Sequence, residues 1–222
     1  MNLPAALLPP LAHWLTLLAM LGALRLAWPH LPWRRLRSGN LQSNLLFAFS
    51  LVLALAWSLN AGVKPGLNLH LLGAMAATLA LGAPLALYAF ALALVLIAVG
   101  GALEWQAVPV NFLLMGLIPI VLSHALRRLV ERYLPAHFFI FIFILSFFGS
   151  ALIVMLEGLL ASLLLAGVGA YEFSTLTSEY LPYFLLLGFA EAWLSGALIT
   201  LLVVYKPDWV LAFDDQRYLV GK

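Results

Sequence analysis

The sequence predicts an all-α, polytopic helical membrane protein with about seven transmembrane helices and its N-terminus outside. Three observations carry this. Of its 222 residues 65% are hydrophobic and only 9% charged, whereas soluble domains carry roughly 25% charged residues; the mean hydropathy is +1.07. The apolar residues form continuous blocks close to the ~20 residues that cross a bilayer. They do not alternate with period two, which speaks against a barrel, and in lipid only helices and closed barrels satisfy their own backbone hydrogen bonds. Finally, the basic residues cluster beside the blocks, where they act as topology signals rather than as a nucleic-acid surface.

The first block covers residues 5–28. Pro4, Pro9 and Pro10 lack an amide donor and fix φ, so the opening residues are expected to fold inward as a strand or turn before the helix begins. This block has no basic leader and no small-residue cleavage site, so it reads as a retained span. After Arg34, Arg35 and Arg37 comes the block 41–59, then a turn marked by Gly62, Lys64, Pro65 and Gly66. A shorter block, 69–81, closes at Gly82-Ala83-Pro84; 85–103 ends at Glu104; 110–126 follows Pro109. Arg127, Arg128 and Arg132, with Glu131 among them, read as a second basic loop. The block 137–170 is long enough to span with tilt, Glu172 and Glu179 lie in the next loop, and 181–205 precedes a polar tail.

Cytoplasmic loops carry the excess of Lys and Arg. Seven spans put both arginine clusters and the C-terminus inside, with Glu104, Glu172 and Glu179 outside. Lys64 is the one positive charge on the wrong side. The whole chain, 1–222, reads as one integral membrane domain in the inner (plasma) membrane, with no room for a separate catalytic domain.

With seven spans, Met1, Asn2, Asn68, His70, Glu104 and Asn111 fall at the outer ends of the helices. His70, which opens the short third block, has two readings: an interfacial histidine bonded to a backbone carbonyl, or a ligand to a metal or small polar substrate. His30, His124 and His137 flank the basic loops as interfacial residues, and His13 is expected to make an interhelical hydrogen bond. Glu157 and Glu191 lie within apolar blocks, where an ionisable group costs on the order of 3 kcal/mol and needs a partner. Each is a substrate ligand, a proton carrier or a helix-packing residue; the small neighbours Gly158, Ala190, Ala192 and Gly196 favour close packing.

Pro65-Gly66-Leu67-Asn68-Leu69-His70-Leu71-Leu72-Gly73 resembles the His-Leu-Leu-Gly signature of the CbiM/NikM family, the substrate-capture membrane subunits of energy-coupling factor transporters for cobalt and nickel. Asn111-Phe112-Leu113-Leu114-Met115-Gly116, with Pro119 beyond it, is similar to the family's Asn-x-x-x-Met-Gly segment. The segments Ala190-Glu191-Ala192, Gly196–Thr200 and Lys206-Pro207-Asp208-Trp209 are similar to its last span and exit. The resemblance implies a square-planar nitrogen site near the outer face. Its ligands are the terminal amine of Met1, the amide and side chain of residue two, and the imidazole of His70, a donor set suited to Ni²⁺ or Co²⁺ as the transported substrate. Position two, a histidine in the family, is Asn2 here, so the site lacks one imidazole. Asn68, Glu104 and Asn111 are expected to line the pocket, and Glu157 and Glu191 to have structural or coupling roles. The partners implied are a coupling transmembrane protein and cytoplasmic ATPases, since this chain has no phosphate-binding Gly-rich loop followed by Lys-Ser/Thr. No permanent cofactor and no nucleic-acid partner are expected.

The absence of cysteine excludes disulfides and thiolate sites. Two other functions stand beside transport. One is an orphan membrane scaffold or sensor that has lost its metal site, which Asn2 makes a serious competitor. The other is an intramembrane hydrolase built on Ser195, but Trp193 stands where a serine-protease glycine is expected, no histidine follows, and there is no His-Glu-x-x-His.

Overall fold

Apolar side chains around the full circumference of a helix suit an element surrounded by lipid or by other helices. The computed structural model describes residues 3–59, 61, 62, 64 and 67–219. Its principal helices are α1 (Pro10–Ala27), α2 (Leu41–Ser58), α3 (Ala74–Leu81), α4 (Ala83–Val99), α5 (Trp105–Tyr133), α6 (Ile140–Gly167) and α7 (Leu181–Tyr205). Five of these, α1, α2, α5, α6 and α7, are each long and apolar enough to cross a membrane unaided, and α4 is an apolar helix of 17 residues. The third block departs from expectation. It is helical only over Ala74–Leu81, and residues 67–72 form an extended stretch. Asn68–Leu69 pairs antiparallel with Ala61–Gly62, with Ala61 opposite Leu69 and Gly62 opposite Asn68. His70 therefore precedes the helix instead of opening it.

Every residue of α3 is buried, so neither of its ends can rely on water to satisfy the free backbone groups. Other elements complete both. At the start, the N–H groups of Leu72 and Gly73 donate to the Glu191 carboxylate on α7. At the end, the Leu211 and Ala212 N–H groups donate to the carbonyls of Ala80 and Leu79, each at 3.0 Å. Two glycines make the reversals. Gly73 has φ +73° and Gly82 φ +77°, values that L side chains adopt only with strain, and a Cβ at either would lie 2.8 Å from a leucine methyl, of Leu53 and Leu211 respectively.

Helix α5 starts at Trp105 and continues to Tyr133, so Arg127, Arg128 and Arg132 lie on its last turns and not in a loop. Between Phe112 and Leu117 its turns widen to π geometry. Pro119, which has no N–H and whose ring crowds the carbonyl four residues back, accounts for that local widening. A second wide-turned stretch, Ile140–Phe148, opens α6, and no proline marks it. Close approach of α6 to α7 depends on glycine: a Cβ on Gly158 would come 2.3 Å from Phe184 Cδ1, and one on Gly196 2.9 Å from Phe147 Cδ2.

The bundle has two distinct ends. One gathers the arginines: Glu131 takes Arg127 at 3.4 Å and Arg217 of the tail at 3.7 Å, and Arg35 shares a groove with Asp208 and Asp214. The other gathers the acidic loops. There Lys64 pairs with Glu179 at 2.6 Å, which neutralises the charge that stood out in the sequence.

Candidate metal-capture end

At the acidic end the opening residues fold inward, as the prolines require. Leu3 is 1% exposed and a single tight turn, Ala5–Leu7, precedes α1. Asn111 holds this segment like a short strand. Its Oδ1 accepts the Leu3 N–H at 2.9 Å while Nδ2 donates to the Leu3 carbonyl at 3.0 Å and to the Ala107 carbonyl at 2.9 Å. Glu104 Oε2 accepts the Ala5 N–H at 2.9 Å. Both side chains therefore act on the backbone of the N-terminal segment. Leu3 then packs into one buried cluster with Leu67, Val110, Leu114, Tyr180 and Phe184, which brings the start of the chain beside the extended stretch that leads to His70. Met1, Asn2, Pro65 and Gly66 lie outside the described residues.

His70 is buried, and its ring centroid is 5.8 Å from that of Trp57. Its Nδ1 lies 3.0 Å from the Leu71 carbonyl oxygen. A carbonyl only accepts, so in this contact the imidazole is the donor, as in the reading of a histidine bonded to a backbone carbonyl. Asn68, two residues earlier, offers its carbonyl to the Tyr180 hydroxyl at 3.4 Å. Among the described residues there is no group of three or more His, Cys, Asp or Glu arranged to hold a metal ion.

The two buried carboxylates differ. Glu191 accepts from Leu72 N–H at 2.8 Å, from Gly73 N–H at 2.6 Å and from Ser195 Oγ at 3.3 Å. It therefore fixes the backbone just beyond His70, and the Ser195 hydroxyl is committed to it. Glu157, beside Gly158 on α6, is equally buried, and its Oε1 has no hydrogen-bond partner among the described residues. Among the described residues His13 Nδ1 has no hydrogen-bond partner, and its side chain lines a cleft with Trp14, Trp105, Gln106 and Pro109. No local sequence signal announces that Asn111 clamps the N-terminal backbone or that Glu191 reaches Gly73, since the pairs are separated by 108 and 118 residues.

A bundle with five helices long and apolar enough to cross a membrane belongs to the class of polytopic integral membrane proteins. The family model for the cobalt uptake substrate-specific transmembrane region, CbiM, matches residues 2–209. The chain belongs to that family, and so is a multi-pass membrane permease component of transition-metal uptake. Its fold is similar to a crystal structure described as that of a transition metal transporter, with a TM-score of 0.76 and 17% identity, covering 91% of this chain and 92% of that one. No curated protein matches the chain by sequence.

Proposed function

We propose that the chain, as one membrane domain over 1–222, is the substrate-capture permease subunit of an energy-coupling factor transporter for Ni²⁺ or Co²⁺, with no catalytic activity of its own. Seven membrane crossings, the N-terminus outside, put the capture site on the outer face and the arginine end in the cytoplasm. There a coupling membrane protein and ATPases would engage it. The terminal amine of Met1, the amide of Asn2 and the imidazole of His70 act as metal ligands, framed by Asn68, Glu104 and Asn111. Glu157 and Glu191 serve structural or coupling roles.

The observation that carries this reading is the threading of the N-terminal segment into the bundle, held at Leu3 by Asn111 and at Ala5 by Glu104. A terminus pinned by its backbone beside the histidine stretch is what a terminal-amine ligand needs. Calorimetric titration with Ni²⁺ and Co²⁺ tests it. His70→Ala is expected to lower affinity, and Asn2→His to raise it by restoring the missing imidazole. Affinity should fall as pH drops, because a protonated imidazole cannot coordinate. No binding by the wild type and no gain from Asn2→His would favour the second reading, an orphan scaffold or sensor, which Asn2 itself supports.

A further inference from the structure

Glu157 has no counter-charge among the described residues. It sits on α6 in the interior of an apolar bundle, 4% exposed, and its Oε1 has no hydrogen-bond partner there. None of the ion pairs formed among those residues includes it. The other buried carboxylate differs: Glu191 is committed to Leu72, Gly73 and Ser195. An ionisable group at such depth in a membrane protein is costly and pairs with another group. What this position lacks is a positive charge.

The N-terminal segment runs toward it. Ala5 is held by Glu104, which immediately precedes α5, and Leu3 by Asn111 on α5, about two turns further in. From Ala5 back to Leu3 the chain therefore descends along α5 into the bundle. Leu3 is seated in the buried cluster that contains Ala161 of α6 and Phe184 of α7. Ala161 and Glu157 are both buried and stand one turn apart on the same face of α6. Phe184 fills the space where a Cβ on Gly158 would stand. The depths agree as well. Glu157 lies about 15 Å from Gly167 at the acidic end of α6, and Met115 about 15 Å from Trp105 at the acidic end of α5. Met115 is one turn beyond Asn111, and the two residues that precede Leu3 can span up to ~7 Å, enough to cover that turn.

We infer that Glu157 is the seat of the chain's own terminal ammonium group, a positioning residue that draws the amine of Met1 into the bundle when no metal is bound. This rests on the reading of the N-terminus as an inserted free amine. The carboxylate then faces a positive charge in both states of the site, an ammonium group when it is empty and a divalent cation when it is loaded. Asn111 and Glu104 hold the segment by its backbone, and Glu157 holds it by its charge.

Glu157→Gln provides the test, because the amide keeps the shape of the side chain and removes its charge. Measurements are made on the metal-free full-length protein in a neutral detergent. If the carboxylate holds the ammonium group, the variant leaves that charge buried and unpaired. Its thermal unfolding midpoint should then fall by several degrees, and exchange of the Leu3 and Ala5 amide protons should accelerate about tenfold or more. A bare carboxylate would give the opposite sign, since the amide ends the cost of burying it, and a protonated one would give no fall. In an Asn111→Ala background, where the segment is already released, Glu157→Gln should no longer lower the midpoint. Acetylation of the α-amine by acetic anhydride, read by mass spectrometry, follows the amine itself. It should be about tenfold slower in the wild type than in Glu157→Gln or Asn111→Ala. A midpoint unchanged or raised by Glu157→Gln, additive effects of the two substitutions, or an α-amine as reactive in the wild type as in the variants would overturn the proposal. Titration of the wild type with Ni²⁺ and Co²⁺ is a separate measurement: no binding alongside these shifts would refute metal capture and leave the ion pair standing.

Discussion

Gly73 donates its backbone N–H to the carboxylate of Glu191 at 2.6 Å. One residue defines the end of the His-Leu-Leu-Gly signature and the other lies in the middle of the last long helix, so two segments that resemble those of the family meet at one carboxylate. Because Leu72 donates to the other carboxylate oxygen at 2.8 Å, Glu191 replaces the missing turn of helix before α3. It orients the stretch that bears His70.

Removing that carboxylate strands two donors, the buried Leu72 N–H and the partly buried Gly73 N–H, and an unsatisfied buried donor costs roughly 1–3 kcal/mol. Glu191→Ala is therefore expected to lower the unfolding midpoint of the purified protein clearly and to weaken metal binding together with it. Glu191→Gln keeps one acceptor and should fall between Ala and wild type. An Ala variant as stable and as metal-competent as wild type would contradict the role assigned to this residue.

Gly73→Ala forces an L side chain into the left-handed region at roughly 1–2 kcal/mol, and its Cβ would come 2.8 Å from Leu53 Cδ2. Pairing it with Leu53→Ala relieves the clash but not the strain. The double variant should thus recover only part of the stability that Gly73→Ala loses relative to a Leu53→Ala background, as read from a double-mutant cycle of midpoints.

Asn111→Ala frees both backbone groups of Leu3. Hydrogen exchange of the amides of Leu3 and Ala5 should accelerate markedly in this variant, while those in the middle of α6 and α7 stay protected. If Ni²⁺ or Co²⁺ binding persists at wild-type strength with the segment released, the terminal amine is not a ligand.

Reporter fusions address orientation. Fusions at Gly39 and Ala136 should report the cytoplasm, and one at Glu172 the exterior. A fusion at Ala136 that reads out as external would remove the seven-crossing arrangement. The Lys64–Glu179 pair explains how a positive charge sits among acidic loops. Both partners are partly exposed, so breaking it with Lys64→Ala should change stability by about 1 kcal/mol or less.

The sequence by itself determined the class of the molecule and most of its long helices. Transfer of apolar blocks to lipid depends on composition and length, and both are local properties. It also marked the punctuation: the prolines up to Pro10 precede α1, and Gly82 ends α3. His70 stands out in the sequence because it opens the short third block after a Lys-Pro-Gly turn and lies in the His-Leu-Leu-Gly segment. Only the tertiary structure decided that the third block is half extended, that Arg127–Arg132 continue a helix, and that Asn111, Glu104 and Glu191 bind backbone groups about a hundred residues away. Within an apolar bundle a polar side chain finds its partner wherever folding leaves a stranded N–H or carbonyl, and nothing in the neighbouring sequence encodes where that will be.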